Sequence, residues 1–132
     1  MPSWKHRVCT VVLPAAVVMA VSCSGDSPTS PTSTSTGPVD TNTITIANGS
    51  VSPNFIRVAV GSTVTLVNND SRARDLNSDP HPSHTDCPAL NWGPLQPGES
   101  RASAPLTTAR TCGYHDHIVP SNTSLQGRIL IQ

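Results

Sequence analysis

Short runs of alternating polar and apolar residues dominate the chain from residue 43 to its end. Alternation with a period of two is typical of a strand that buries one face, and residues 43–46 read Thr-Ile-Thr-Ile. Turn-forming pairs such as Asn48-Gly49 separate the runs. No segment carries the apolar stripe of an amphipathic helix. We therefore predict a small all-β domain, an antiparallel sandwich or barrel, with strands within residues 43–46, 55–60, 63–68, 99–106, 107–112 and 127–132.

The stretch from residue 72 to residue 98 lacks a strand pattern and is predicted to be a long loop. It is rich in proline, aspartate, serine and asparagine. A loop of this length inside a compact domain usually has a function. The same stretch carries His81, His84 and Cys87, so it is the first place to look for chemistry.

The N-terminus has the features of an export signal. Lys5, His6 and Arg7 are followed by an apolar run over residues 8–21, which is too short for a membrane-spanning helix. Small residues then precede Cys23. The segment resembles a bacterial lipoprotein signal, which implies cleavage after residue 22, a lipid on Cys23 and a location in the cell envelope, facing the periplasm or the exterior. An ordinary secretory signal that is cut nearby is the alternative.

Residues 23–42 are almost entirely Ser, Thr, Pro, Gly and Asp. Such a segment buries too little apolar surface to offset the entropy of ordering, and its prolines make it extended. We predict a disordered linker that holds the domain of residues 43–132 away from the membrane.

Composition excludes several functions. Charged residues make up 12% of the chain, basic and acidic residues balance, and Lys5 is the only lysine, so no basic surface for nucleic acid is expected. No Gly-x-Ser-x-Gly motif for hydrolysis is present. We therefore expect a protein that is not an enzyme.

Histidines and cysteines of the domain fall into two clusters. His81, His84 and Cys87 lie in the long loop, and Cys112, His115 and His117 follow a predicted strand. Thiolate and imidazole are the ligand types that suit copper and zinc. A turn eased by Gly113 would let Cys112 and His115 face one ion, with a third ligand from the loop. The carboxylates best placed to orient the imidazoles belong to Asp79, Asp86 and Asp116.

Three segments resemble the cupredoxins, the small copper-binding sandwiches that include plastocyanin and azurin. They are residues 64–70 (Val-Thr-Leu-Val-Asn-Asn-Asp), residues 112–115 (Cys-Gly-Tyr-His) and residues 127–131 (Gly-Arg-Ile-Leu-Ile). The resemblance implies a Greek-key β-sandwich, a type 1 copper bound by Cys112 and His115, and one-electron transfer to a redox partner protein.

The chain departs from the cupredoxin pattern at two positions. Ile118 stands where the family usually has a methionine, and Arg74 stands where it has its first histidine. A guanidinium is always charged and cannot replace that ligand. His81 or His84 would have to supply it, and His117 could be an additional or substitute ligand.

Other interpretations remain open. Two cysteines in an oxidising compartment commonly form a disulfide, and a Cys87–Cys112 bridge would remove the thiolate. The domain would then be a metal-free structural or interaction module, or a histidine-only site that carries or sequesters copper. A third, weaker interpretation is a degenerate metalloenzyme domain that works with a partner.

Overall fold

A computed structural model describes residues 37–132 of the chain. These residues form ten strands and two short 3₁₀ helices, Pro88–Leu90 and Thr123–Leu125. The strands are β1 (Val39–Asp40), β2 (Thr43–Ala47), β3 (Ser50–Ser52), β4 (Phe55–Val58), β5 (Thr65–Asn68), β6 (Arg74–Ser78), β7 (Gly93–Leu95), β8 (Ser100–Ala102), β9 (Arg110–Asp116) and β10 (Gly127–Ile131).

The strands form two sheets. The larger has the order β1-β4-β10-β9-β6-β7, and the smaller has the order β3-β2-β5-β8. The prediction of an all-β sandwich is confirmed, but the sheets are mixed rather than purely antiparallel. Parallel pairs join β1 to β4, β4 to β10 and β2 to β5.

Alternating residues of the strands build the core, as the period-two pattern predicted. In β2 the isoleucines are fully buried and the threonines between them are not, and β4 and β10 follow the same rule. Two aromatic rings, Trp92 and Tyr114, pack edge to face at 6.1 Å between centroids. Burying apolar area of this kind supplies the main driving force for folding.

The sequence pattern missed two strands inside the stretch from residue 72 to residue 98. β6 pairs with β7 on one side and with β9 on the other. Its only large apolar residue is Leu76, and the buried residues that follow, Asn77 and Ser78, are polar. A strand that buries polar side chains shows no apolar alternation. The true loop is residues 79–87, and it still carries both upstream histidines.

The β2–β3 hairpin confirms the turn predicted at Asn48-Gly49. Both residues have positive φ angles, 53° and 72°, which is the backbone of a type I′ turn. β1 lies inside the segment assigned to the linker, so regular structure begins before residue 43.

The predicted signal peptide of residues 1–22, the lipidation site Cys23 and the first part of the linker lie outside the described residues. Within residues 37–132, no helix is long and apolar enough to cross a membrane.

Candidate metal centre

The two histidine clusters meet at one end of the larger sheet because β6 and β9 are neighbouring antiparallel strands. Their register pairs Asn77 with His115 and Leu76 with Asp116. The chain therefore leaves β6 into the loop of residues 79–87 at the same edge where β9 ends at Asp116. Residues more than 30 positions apart in the sequence are brought together by this pairing alone.

Three imidazoles converge at this edge. One ring nitrogen from each of His81, His84 and His117 can be chosen so that all lie within 4.8 Å of one another. The ring centroids are 4.9 Å apart for both His81–His117 and His84–His117, and 5.7 Å apart for His81–His84. The spacing of the three nitrogen atoms is close to that of three imidazoles bound to a single metal ion.

A backbone carbonyl orients His84. Its Nδ1–H donates to the Ser78 carbonyl at 2.9 Å, so the lone pair lies on Nε2, which accepts a hydrogen bond from Nδ1–H of His117 at 2.8 Å. Anchoring of the distal ring nitrogen in this way is common among metal-binding histidines. The backbone of His84 is left-handed, with φ of 52°, and its N–H donates to the carbonyl of Pro80. The loop is thus folded back over the end of β6.

His117 lies just beyond the end of β9. Its backbone N–H donates to the Asp75 carbonyl at 2.7 Å, so the ladder between β6 and β9 extends to this residue.

The three histidines differ in exposure: His81 and His117 are exposed, and His84 is half-buried. The pKa of His81 lies below its ordinary value, mainly because its ring loses hydration and also because three other imidazoles surround it. The lowered pKa favours the neutral form, which is the form that binds metal.

His115 lies beside this group but is not part of it. Its ring centroid is 5.4 Å from that of His81 and 5.1 Å from that of His84. Its Nδ1–H donates to the Asp79 carboxylate at 2.7 Å. The residue is only 3% exposed, and its Nε2 has no hydrogen-bond partner among the described residues.

Cys112 is not a metal ligand in the structure, because its sulfur is bonded to that of Cys87. The expected turn at Gly113 is also absent, since β9 is continuous from Arg110 to Asp116. Successive side chains of a strand point to opposite faces, so Cys112 and His115 project from opposite sides of β9. The type 1 set of Cys112 with His115 is therefore wrong for this structure, and the disulfide alternative is the one it contains.

The three aspartates singled out in the sequence have three different partners. Asp79 contacts His115, whereas Asp86 forms an ion pair with Arg110. Asp116 is fully buried and accepts hydrogen bonds from the Arg74 guanidinium and from the N–H of Ile118. Only Asp79 orients an imidazole directly.

Arg74, at the position of the missing family histidine, is part of a buried ion network. Its guanidinium contacts Asp70 at 2.7 Å and Asp116 at 3.2 Å. The hydrogen bonds from Arg74 hold the pKa of Asp70 below its usual value of 3.8. The arginine thus has a structural role, and its polar partners could not be read from the sequence because Asp116 is 42 residues away.

The donor set is chemically uniform. Neutral imidazole suits copper, zinc and nickel, whereas calcium and magnesium need oxygen ligands, and the converging atoms are all nitrogens. The residues present therefore fit a transition-metal ion of the copper or zinc type.

All three histidines could be picked out from the sequence. The roles of the Ser78 and Asp75 carbonyls could not, because they depend on backbone geometry and leave no signal in the sequence.

Solved structures with a similar fold are cupredoxins. The purple cupredoxin from Nitrosopumilus maritimus is similar with a TM-score of 0.56 and 20% identity, over 70% of this chain and 100% of its own. A plastocyanin variant from a fern has a TM-score of 0.54 at 16% identity, over 68% and 99% of the two chains. An amicyanin variant with Cu(I) has a TM-score of 0.52 at 18% identity, over 73% and 92%.

At these identities the likeness establishes the fold, which is a cupredoxin-like β-sandwich. No protein-family model matches the chain, and no curated protein matches it.

Proposed function

We propose that this cupredoxin-like domain binds copper through His81, His84 and His117 and carries or sequesters the ion outside the cytoplasm, anchored to the membrane by a lipid on Cys23. One observation carries the proposal: a ring nitrogen from each of the three histidines lies within 4.8 Å of the other two. Copper is favoured over other divalent ions of the first row because it binds nitrogen sites most tightly. An amicyanin of similar fold holds Cu(I).

The protein's own groups prepare the site. The Ser78 carbonyl fixes the tautomer and the orientation of His84, and the Asp75 carbonyl holds the backbone of His117 against β6. The pKa of His81 lies below its ordinary value, mainly through desolvation, which favours the neutral ring. When bound, copper would supply a cation that can exist as Cu(II) or Cu(I).

A role in fast electron transfer is not part of the proposal. Blue copper sites depend on a cysteine thiolate ligand, and both cysteines of the domain are joined in the disulfide. Bound copper is therefore cargo, and the protein is proposed to act without enzymatic turnover. The partner implied by this role is a protein that delivers copper to the site or takes it away.

Titration of the purified chain with Cu(II), followed by electron paramagnetic resonance, tests the proposal. We expect one copper per chain, nitrogen hyperfine structure, and no intense thiolate-to-copper band in the visible spectrum. The double variant His84→Gln/His117→Gln should lose at least about 100-fold in affinity, because loss of an outer-shell partner alone costs about 10–100-fold.

The matched control is Asp40→Asn, a change at an exposed residue of β1, which lies at the opposite edge of the larger sheet from β6 and β7. Its copper affinity should equal that of the wild type. Absence of stoichiometric binding by the wild-type chain, or equal binding by the double variant, would overturn the proposal.

A further inference from the structure

We infer that the Cys87–Cys112 disulfide is a site of thiol–disulfide exchange with a dithiol reductant, and that its reduction releases the loop of residues 79–87. The inference rests on the proposed function where it concerns copper, because the oxidised chain then holds the ion and the reduced chain gives it up. The exchange itself depends on the disulfide and on the cavity beside it, and it can be measured without metal.

A cavity gives a reductant access to the disulfide. It has a volume of about 260 Å³, and both cysteines are among the residues that line it. Its walls include the exposed residues Pro88, Pro105 and Thr108, so it faces the solvent. Cys87 is 7% exposed, whereas Cys112 is fully buried. Because exchange requires access to a sulfur, a thiolate that enters the cavity attacks Cys87.

The charges next to the disulfide favour the exchange. Arg110 lies two positions before Cys112 on β9, so the two side chains are on the same side of the strand, and Arg110 lines the cavity. A guanidinium near a sulfur stabilises the thiolate, and a more stable thiolate is the better leaving group. Asp86 lines the cavity too but is paired with Arg110, so its charge is balanced against an incoming thiolate.

The exchange balances in two steps. One thiolate of the dithiol attacks Sγ of Cys87, the S–S bond breaks, and Sγ of Cys112 leaves with the electron pair and takes up a proton. The second thiol of the reductant then attacks the reductant's own sulfur in the mixed disulfide, and Cys87 leaves as a thiol. Two electrons and two protons pass to the chain, and the reductant leaves as a disulfide.

The disulfide joins the two segments that carry the ligands of the proposed site. Cys87 ends the loop that holds His81 and His84, and Cys112 belongs to β9, the strand that leads to His117. The convergence of the three imidazoles depends on the position of both segments. Opening the disulfide therefore acts on the whole group.

Reduction leaves weaker anchors at this end of the loop. The Asp86–Arg110 ion pair is partly exposed, and a pair of this kind contributes at most about 1 kcal/mol. The next fully buried residue after Cys87 is Leu90. The reduced loop is therefore free over more residues and holds an ion less tightly. By linkage, a bound ion favours the oxidised chain by the same factor.

Reduction of the metal-free, full-length chain by dithiothreitol in the absence of urea tests the exchange. Samples are blocked with iodoacetamide at intervals, and peptide masses should show modification of both Cys87 and Cys112. Thr108→Tyr, at the exposed wall of the cavity, should slow the reaction because the larger side chain covers the disulfide. The matched control is Ser50→Tyr, at an exposed position of β3 in the smaller sheet, which should react at the wild-type rate.

Hydrogen exchange of the reduced chain tests the release of the loop. The N–H groups of His84 and Asp86 each donate to a carbonyl within the loop, and both should lose protection on reduction. The N–H of His117 donates to the Asp75 carbonyl of β6. It should stay protected, because the pairing of β6 with β9 does not depend on the disulfide.

The link to copper is measured with Cys87→Ala/Cys112→Ala, because free thiols would themselves bind copper. This variant reproduces the open loop without a competing ligand. Its copper affinity should be about 10-fold or more below that of the wild type, as for the loss of an outer-shell support.

The outcomes separate the two proposals. A disulfide that dithiothreitol opens only in urea, or equal rates for Thr108→Tyr and Ser50→Tyr, overturns the inference and leaves the proposed function standing. The same holds for a reduced chain in which His84 and Asp86 stay protected, for one in which His117 loses protection as well, and for unchanged copper affinity in the double variant. A wild-type chain that binds no copper overturns the proposed function and the link to copper, whereas the rates of reduction still decide the exchange.

Discussion

Arg74 and Asp116 form a buried ion pair at the edge of the larger sheet where the histidines converge. Asp116 lies between His115 and His117 in the sequence, and its side chain is fully buried. One carboxylate oxygen accepts a hydrogen bond from Arg74, and the other accepts one from the N–H of Ile118. A buried carboxylate is tolerated only where its charge is balanced and its oxygens are hydrogen-bonded. The arginine therefore helps to hold the end of β9 in place.

Replacing the arginine tests this role. Arg74→Met keeps the volume of the side chain but leaves the Asp116 carboxylate without a counter-charge, which should cost about 3 kcal/mol in the free energy of unfolding. The control is Arg57→Met, because the Arg57–Asp40 pair is largely exposed and such pairs contribute at most about 1 kcal/mol. Equal urea midpoints for the two variants would contradict the assignment.

Acid stability should depend on Asp70. Its pKa is lower in the folded chain than the ordinary 3.8, mainly because Arg74 donates to its carboxylate. The ionised group therefore stabilises the fold above pH 3.8, and this contribution is lost as the pH falls through the lower folded value. Urea unfolding of the metal-free chain from about pH 5 downward should show a shallower loss of stability in Asp70→Asn than in the wild type.

The sequence singled out the residues that converge at this edge, but it did not give their geometry. His81, His84 and His117 are candidate ligands from the sequence because histidine is a common metal ligand and the three fall in two compact clusters. The partnership of Cys112 with His115 was not correct, because it required a turn at Gly113. Residues 107–112 were expected to form a strand, whereas β9 runs on to Asp116 and puts the two side chains on opposite faces.

At the scale of elements, the loop of residues 79–87 depends on its anchors. The disulfide joins Cys87 to Cys112 in the middle of β9, across 25 positions of the sequence. A backbone hydrogen bond from Asp86 to Asp79 closes the loop, and Asp86 is paired with Arg110. These contacts fix both ends of the segment that carries His81 and His84.

Removing the disulfide should weaken both stability and copper binding. A bridge that closes a loop of this size contributes about 3 kcal/mol, so Cys87→Ala/Cys112→Ala should unfold at lower urea concentration. Copper affinity should fall about 10-fold or more, as for the loss of an outer-shell support. Unchanged copper affinity in the folded double variant, measured by competition with a chelator, would show that the remaining contacts hold the loop unaided.

The elements with regular alternation were the ones that could be predicted. β2, β4, β5 and β10 bury every second side chain and were recognised. β6 was not, because the buried residues that follow Leu76 in it, Asn77 and Ser78, are polar and show no apolar alternation. The backbone N–H of Ser78 donates to the Asn91 side chain, 13 positions away, and a tertiary hydrogen bond of this kind leaves no periodic trace in a single sequence.

At the scale of the whole molecule, the sequence also predicts an attachment to the membrane. Cys23 follows a short apolar segment and precedes a linker rich in Ser, Thr and Pro. Labelling of expressing cells with an alkyne-bearing fatty acid should mark the wild-type chain, and the chain should partition with membranes. Cys23→Ser should abolish the label while leaving copper binding unchanged. A labelled Cys23→Ser variant, or an unlabelled wild type, would contradict lipid anchoring.

The three histidines of the proposed site differ in their access to water, and this difference bears on how an ion would be handed on. His81 and His117 face the solvent, whereas His84 is half-buried. An acceptor molecule would displace the two exposed imidazoles one after the other while His84 keeps the ion bound. Release would then proceed through mixed complexes shared by donor and acceptor, and the sandwich would not have to open.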